Sequence, residues 1–405
     1  MWEVIRANKR RAVFLIVGMA ALLMAVGFVL GELMAPGAGV FGLLMAFVIW
    51  IGLTLASYFS GDKILLASSK ARVIEKQDHP VLWNVVEEMT IAAGLPTMPA
   101  IYIIDQEAPN AFATGRDPER SAVAVTSGLL ERLTRDELQG VIAHELGHIA
   151  NRDILYMTVA GIMMGAIVML ADMGVRMLFF GGGRRRTSSD RGGGGGQALI
   201  MVVAIVLAIL APILAQLMYF ALSRRREYLA DASSAVYTRY PEGLASALEK
   251  IASNKIELKT ANRATAPMYI VNPLKLTKTG LSDLSRTHPP TSERVRILRS
   301  FAGGETGLKG YDQAFRRITG RAVGVVPAGS LAASQEVPTR PAQADPRTHI
   351  ERVRQATDAM WRLQGYTFLG CACGTALKVP PAHAGTTLEC PHCGTPHAVP
   401  AAPAP

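Results

Sequence analysis

Long apolar stretches and polar segments alternate through the first half of the chain. Two apolar stretches lie near the N-terminus, at residues 12–34 and 37–59, and two more lie at residues 154–180 and 198–222. Each has about the 20 residues that an α-helix needs to cross the hydrocarbon core of a bilayer. A cleaved signal peptide is the competing interpretation of the first stretch, but its apolar core is too long and a second stretch follows at once. We therefore expect two retained helical hairpins in contact with the lipid bilayer.

Basic residues beside these stretches set the expected orientation. Arginines and lysines precede the first stretch, whereas the turn at residues 35–38 carries no charge. Because basic residues favour the cytoplasmic side, the N-terminus is expected there, and so is the chain after residue 59. The net charge of +10 is concentrated in such flanks, since residues 155–226 hold eight arginines against Asp172 and Asp190. This distribution argues against nucleic acid as a partner.

The depth of the second hairpin stays open. Its tip, residues 181–197, carries four arginines, which match the four at its base. Either the tip is translocated against the preference of basic residues for the cytoplasm, or the hairpin is too shallow to span. Both ends of a hairpin lie on one side in either case.

The polar segments indicate a mainly α-helical domain with a few strands. Residues 100–105 and 121–128 have the β-branched and aromatic content of short strands. Thr134 and Glu137 form a capping box that opens a helix reaching about Ile149. This helix either ends at residues 151–153 or continues into the third apolar stretch. Helical periodicity returns after the second hairpin and after two prolines near residue 289.

Composition divides the rest of the chain. Residues 303–347 are rich in Gly, Pro, Ala and Gln and are interpreted as a linker. Residues 348–405 begin with an amphipathic helix, which has Ile350 and Met360 on its apolar stripe, and end in a segment that holds all four cysteines. The expected organisation is an N-terminal hairpin, a split domain with the second hairpin inserted in it, the linker and a C-terminal module. Their boundaries are 1–59, 60–153 with 223–302, 154–222, 303–347 and 348–405.

The strongest chemical pattern is HELGH, which contains His144, Glu145 and His148. Residues four apart on a helix point the same way, so both imidazoles can hold one tetrahedral Zn²⁺ while Glu145 faces the remaining position. A carboxylate there can take a proton from the water that attacks a peptide carbonyl. The alternative, a polar helix face with two ordinary histidines, fits the surrounding sequence less well.

A catalytic zinc site needs a third protein ligand. A third histidine six residues after His148 is excluded, because that position is Ile154. Glu227 is the strongest candidate, because the second hairpin returns the chain to its starting side just before it. Asp231 lies one turn further on the same helix face and is expected to accept the N–H of a ligand histidine. The alternative is that this segment is only a solvated helix face beside the membrane.

Four motifs in order resemble a known family. HELGHIANRD, SRRREYLAD and THPPTSERV, with NAFATG before them, resemble the HtpX-type integral-membrane zinc metalloproteases, relatives of the CaaX prenyl proteases. The resemblance covers residues 1–300 approximately and implies His144, His148 and Glu227 as ligands and Glu145 as the base. It further implies a bacterial-type inner membrane, a cytoplasmic active site, and endoproteolysis of damaged or misassembled membrane proteins or unfolded polypeptides.

Two further roles follow from the resemblance. NAFATG resembles the active-site edge strand of the family, which binds an extended peptide by adding it to the sheet, although a plain hairpin fits equally well. His288 resembles a family histidine that stabilises an oxyanion or caps the zinc, although a histidine before prolines is more often a turn residue. Arg294 either braces this region or pairs with a carboxylate. The edge-strand residues are Asn110, Ala111, Phe112, Ala113 and Thr114.

The C-terminal tail departs from the family. Its cysteines form two glycine-bearing knuckles that resemble a zinc ribbon, which would hold a structural Zn²⁺ beside the catalytic one. Disulfides are the alternative, which a reducing cytoplasm disfavours. The first knuckle is CxC where CxxC is usual, so a histidine remains open as a replacement for one thiolate. The cysteines are Cys371, Cys373, Cys390 and Cys393, and the histidines are His383, His392 and His397.

The sequence thus predicts an α-helical membrane protein with a mainly α (α+β) zincin-type metalloprotease domain and a small β zinc-ribbon-like module. The expected function is membrane-bound zinc endopeptidase activity in protein quality control. The alternative is a zinc-dependent membrane adaptor with a latent protease site, whose ribbon recruits an unknown partner. The intact Glu145 argues against the adaptor, because a site that only binds zinc needs no base.

Overall fold

The fold is known from a computed structural model, which describes residues 2–180, 194–258, 269–271, 288–300, 305–332 and 334–401. The helices are α1 (Trp2–Met34), α2 (Gly39–Ser68), α3 (Pro80–Ala93), α4 (Ser127–Arg132), α5 (Arg135–Ala150), α6 (Ile154–Phe180), α7 (Gly194–Thr238), α8 (Pro241–Ser253), α9 (Thr291–Arg299), α10 (Leu308–Thr319), α11 (Ala328–Ala332) and α12 (His349–Leu363). The strands are β1 (Arg72–Val73), β2 (Ala100–Ile104), β3 (Ala111–Asp117), β4 (Arg120–Thr126), β5 (Glu305–Thr306), β6 (Val337–Pro338), β7 (Thr367–Gly370), β8 (Ala376–Val379), β9 (Thr387–Glu389) and β10 (Pro396–Ala398).

Four of the described helices, α1, α2, α6 and α7, are long and apolar enough to cross a membrane. They pack on one another around a separate apolar cluster, while many of their other large apolar side chains are exposed, as expected for surfaces that face lipid. α1 and α2 approach closely where Gly42 meets the backbone of Gly27 and Gly31, because a side chain at Gly42 would collide with these atoms. The tip of the second hairpin, residues 181–193, lies outside the described residues.

The two arms of the second hairpin join the polar domain differently. α5 ends at Ala150, and Arg152 takes a left-handed φ of 56° before α6 begins at Ile154, so the first joint is a break. The second joint has no break, because α7 runs for 45 residues through position 222, where the sequence predicts the membrane segment to end. Arg224, Arg225 and Arg226 are good helix formers, and no glycine or proline interrupts them. The membrane helix and the segment that carries Glu227 therefore form one continuous helix.

A small sheet and a buried helix form the centre of the polar domain. The strand order is β1-β2-β4-β3, with β2 parallel to β4 and β3 antiparallel to β4 at one edge. The capping box is present as predicted, since the Thr134 hydroxyl accepts from the Glu137 N–H and the Glu137 carboxylate accepts from the Thr134 N–H. Nearly every residue of α5 is buried, because the sheet, α3, α7 and α8 all pack against it.

The segment interpreted as a linker, residues 303–347, contributes to this core. It contains α10, whose Tyr311 and Phe315 are buried in the main cluster together with Val325 and Val326 of the following loop. The Gly- and Pro-rich flanks dominate the average composition of the segment and hide a 12-residue amphipathic helix within it. The described part of this segment is therefore folded with the polar domain.

Helix α12 also packs on the polar domain, against α4. Its buried face is made of Ala356, Ala359 and Met360, whereas Ile350, predicted on the apolar stripe, is 71% exposed. The predicted stripe is therefore buried at Met360, where two alanines pack beside it, and not at Ile350. Beyond α12 the chain forms two hairpins, β7 with β8 and β9 with β10, around their own small cluster.

This division predicts different effects for two C-terminal deletions. Removal of residues 367–405 leaves α12 in place and should change the thermal unfolding temperature of the detergent-solubilised protein little. Removal of residues 348–405 uncovers the core contact of Met360 and should cost at least about 2–5 kcal/mol of unfolding free energy, the range for deleting one large buried side chain. Equal unfolding temperatures for the two truncated proteins would show that α12 is not part of the core.

Candidate active site

The three candidate residues of the HELGH motif, His144, Glu145 and His148, lie on the buried helix α5. His144 and Glu145 are buried, and His148 has a side chain that is 16% exposed. Gly147 of the same motif faces α7, where an added Cβ would lie only 3.0 Å from the Cβ of Ser233. The glycine therefore permits the close packing of α5 and α7 on which the site depends.

Glu227 on α7 meets both histidines. Its Oε2 lies 3.6 Å from His144 Nε2, and its Oε1 lies 3.4 Å from His148 Nε2. Ligand atoms of one tetrahedral zinc ion are about 3.4 Å apart when the metal–ligand distances are about 2.0–2.1 Å. Among the described residues, the buried His144 Nε2 has no hydrogen-bond partner. Two imidazoles and a carboxylate in this arrangement fit a zinc ion.

Asp231 and Arg294 support this group from behind. Asp231 Oδ1 lies 3.0 Å from His144 Nδ1, as predicted from its position one turn after Glu227. Arg294 is completely buried and donates to both oxygens of Asp231, from Nε at 2.8 Å and from Nη2 at 2.6 Å. Its Nη1 also lies 3.3 Å from Glu227 Oε2. Burial alone would lower the pKa of the Arg294 guanidinium, but Asp231 outweighs burial and raises that pKa, so the arginine stays charged.

A second carboxylate supports His148 and was not predicted. Asp153 Oδ2 lies 3.7 Å from His148 Nδ1, and Asp153 Oδ1 lies 3.4 Å from Nε of the buried Arg226. Arg226 also donates from Nη1 to the Asp153 carbonyl oxygen, which ties α7 to the break between α5 and α6. One signal was available in the sequence, because Asp153 is an acid immediately before an apolar stretch, where basic residues are usual. Each histidine thus has its own carboxylate.

Proton affinity at the histidines follows from these contacts. Burial alone would lower the pKa of His148, but its contacts with Asp153 and Glu227 outweigh burial and raise the pKa to about 10. Burial would also lower the pKa of His144, but its contacts with Asp231 and Glu227 outweigh burial and raise that pKa. Zinc binding requires neutral imidazoles. Protons and metal therefore compete for the same two nitrogen atoms.

His288 reaches the same site. The chain before α9 places its Nδ1 3.1 Å from Glu227 Oε2, and the side chain is buried. Pro290 precedes the first turn of α9, so the histidine is held just outside the helix. His288 is therefore a buried neighbour of Glu227 and not an exposed turn residue.

Glu145 faces the edge strand of the sheet. The backbone of Ala113 in β3 is close enough to this carboxylate to lower its pKa slightly. Burial raises the pKa of Glu145, which the nearby charges of His144 and His148 partly offset. The carboxylate therefore has a higher proton affinity than an exposed glutamate, which suits a group that accepts a proton from water.

Residues 269–271 already contact the free edge of β3. Ile270 donates its N–H to the Ala111 carbonyl oxygen at 3.0 Å, and the Asn110 side-chain amide donates to the Val271 carbonyl at 2.8 Å. Tyr269 packs edge-to-face on Phe112 with ring centroids 5.1 Å apart. β3 lies at the edge of the sheet and contains four of the five residues expected there, whereas Asn110 precedes it, and the chain's own 269–271 segment already occupies this edge at Ala111.

The four cysteines form a second cluster in the C-terminal module. Cys371 Sγ lies 3.4 Å from Cys393 Sγ, and Cys373 Sγ lies 3.8 Å from Cys390 Sγ, and none of the four is in a disulfide. Thiolates around a tetrahedral zinc ion are about 3.8 Å apart. Within the described residues, the cluster consists of the four cysteines and includes none of the three histidines considered as replacements. The donor set fits a closed zinc site.

Comparisons with known proteins agree with this geometry. Residues 76–302 match the model of peptidase family M48. A protease HtpX homolog of Dictyoglomus thermophilum is 48% identical over 298 residues, which are 74% of this chain and 94% of that protein. A protease HtpX homolog of Lactobacillus helveticus is 42% identical over 301 residues, which are 74% of this chain and 99% of that protein.

Among solved structures, the crystal structure of S. mikatae Ste24p matches with a TM-score of 0.39 and 17% sequence identity, over 74% of this chain and 67% of that chain. The family match includes both halves of the HELGH and Glu227 site, and the match to the HtpX homologs extends over nearly their whole length. The chain therefore belongs to peptidase family M48, and it is a metalloprotease similar to the HtpX proteases.

Proposed function

We propose that this chain is a membrane-embedded zinc endopeptidase in which Glu145 is the general base. The observation that carries the proposal is the convergence of His144, His148 and Glu227, with the Glu145 carboxylate held beside them. Two nitrogen donors and one carboxylate oxygen are a ligand set typical of catalytic zinc. Such a set leaves one coordination position for the reaction.

A zinc ion at this site would supply a Lewis acid that polarises the peptide carbonyl and acidifies water. Glu145 accepts the proton of the attacking water and returns it to the leaving amine. Asp231 accepts a hydrogen bond from the Nδ1–H of His144, which turns the Nε2 lone pair of that ring towards the ligand position, and the carboxylate of Asp153 lies 3.7 Å from Nδ1 of His148. His288, beside Glu227, is placed to stabilise the negative charge that develops on the carbonyl oxygen.

Substrates are proposed to bind as an extended strand along β3. Addition to a sheet edge recognises the backbone and not particular side chains, which suits a protease for damaged or unfolded chains. The four apolar helices keep the site beside the bilayer, so membrane proteins and their exposed loops are the expected substrates. The basic N-terminal flank supports a cytoplasmic site in a bacterial-type inner membrane. The adaptor alternative is weaker, because it needs neither Glu145 nor its contact with Ala113.

Substitution of Glu145→Gln tests the general base. The variant keeps the ligands but cannot accept a proton, so the cleavage rate of a membrane-protein reporter should fall by at least about 100-fold. Zinc content should stay unchanged. The matched control is Glu87→Gln, which changes an exposed glutamate of α3 and should leave the rate unchanged. Normal cleavage by the Glu145 variant would refute the assignment.

Metal content tests both proposed zinc sites. The wild type should contain two zinc ions per chain by elemental analysis. Glu227→Ala removes a ligand of the catalytic site and should retain one zinc ion without hydrolysis. Cys390→Ser should also retain one zinc ion, but hydrolysis should persist because the cysteine cluster is separate from the active site. A Glu227 variant that still binds two ions would show that another group completes the catalytic site.

The 269–271 segment is expected to compete with substrates for β3. Ile270→Pro removes the N–H that bonds Ala111, so the KM for a peptide substrate should fall by about fivefold, the equivalent of one hydrogen bond. The kcat should change little, because the metal ligands are untouched. Ile256→Pro, in another described loop, is the control. A higher KM in the Ile270 variant would mean that the segment helps to bind the substrate.

A further inference from the structure

A cavity lies where α7 leaves its apolar stretch. It has a volume of about 660 Å³ and is formed between α7 and the C-terminal extension, that is α10 and the loop after it. Leu217 and Phe220 line it at the membrane end, and Arg224 and Arg225 line it at the other end. Arg224 follows Leu217 by seven positions along the helix, which corresponds to a rise of about 10 Å. The cavity thus spans the depth at which a bilayer changes from acyl chains to headgroups.

The charged side of the cavity is entirely basic. Arg224, Arg225 and Arg321 line it, and none of the described residues that line it is acidic. Arg225 donates from Nη2 to the carbonyl oxygens of Val325 and Gly324, at 2.9 and 3.3 Å, and so holds the loop that closes the cavity. Arginine is the side chain best suited to phosphate, because its guanidinium donates two parallel hydrogen bonds.

The same loop places a third arginine at the cavity and an apolar residue beside it. The Arg321 guanidinium lies over the Phe315 ring, 5.6 Å from its centroid, which keeps the charge beside the cavity wall. Val323 is 73% exposed, although it follows Arg321 by only two residues. Leu217 on the facing helix is 44% exposed. A phosphate with attached acyl chains matches the chemistry of both the arginines and these apolar side chains.

We propose that this cavity binds the phosphate headgroup of an anionic phospholipid. Arg224 and Arg321 contact the phosphate, Arg225 holds the loop, and the acyl chains leave along Leu217 and the exposed apolar face of α7. A soluble phosphate would use the arginines but not the apolar side chains. The site joins α7, which lies within the family match, to residues 315–325, which lie beyond its end at residue 302. A bound lipid therefore fastens the extension to the helix that carries Glu227.

Lipid binding by the full-length protein in neutral detergent tests the proposal. Native mass spectrometry measures the affinity for phosphatidylglycerol, for phosphatidylcholine and for glycerol 3-phosphate. The wild type should prefer phosphatidylglycerol to both other compounds. The double variant Arg224→Gln, Arg321→Gln should bind phosphatidylglycerol roughly 30-fold more weakly, from the usual contribution of two arginines near an anionic surface.

Arg354→Gln is a control for nonspecific effects of charge, because it removes a positive charge from an exposed position of α12 and should not change the affinity. Zinc content and the unfolding temperature without lipid show whether the double variant is folded. If it is not, Val323→Asp, which alters one exposed side chain, should weaken phosphatidylglycerol binding in its place. Unchanged affinity in the folded variants, or equal affinity for phosphatidylcholine, would overturn the site. Equal affinity for glycerol 3-phosphate would overturn the lipid as its ligand.

Discussion

The close packing of α7 against α5 is the constraint on which the rest of the structure depends. The proposed metal ligands come from two helices that a membrane hairpin separates in sequence, and they meet only because the two ends of the hairpin lie side by side. Gly147 permits the approach, and the ion pair between Arg226 and Asp153 fixes it at the membrane boundary. The hairpin is thus part of the active site, since it sets the relative position of the two halves.

This contact brings an unusual number of charged groups into a buried space. Such groups are costly to remove from water unless each one is paired. Here Arg294 neutralises Asp231 and approaches Glu227, while Arg226 neutralises Asp153. Asp231 contacts Nδ1 of His144 at 3.0 Å, and Asp153 lies 3.7 Å from Nδ1 of His148. These ion pairs hold the side chains of the site in position, and they offset part of the free energy that is lost when the charges are removed from water.

Much of the site could be predicted from the sequence because its signals are local or topological. The spacing of HELGH places both histidines on one face of a helix. A hairpin begins and ends on the same side of the membrane, so it returns Glu227 to the side of the histidines. Other features depend on contacts that no short pattern records. The contact of Ile270 with β3 joins distant segments, and the position of Asp153 becomes clear only once the break at Arg152 is known. The average composition of residues 303–347 hides α10, whereas α12 is predicted as a helix but buries two alanines together with Met360 and leaves Ile350 exposed.

The two ends of the second hairpin are connected to the polar domain in different ways. The histidine side is attached to the membrane through the left-handed break at Arg152, whereas Glu227 sits on the uninterrupted helix α7. The distance from Leu217 to Glu227 along this helix is about 15 Å, so a change of about 5° in its tilt displaces the carboxylate by about 1 Å. Membrane helices change tilt when the surrounding bilayer thins or thickens. A change of tilt in α7 would therefore act directly on the helix that carries Glu227, whereas the break at Arg152 separates the histidines from α6.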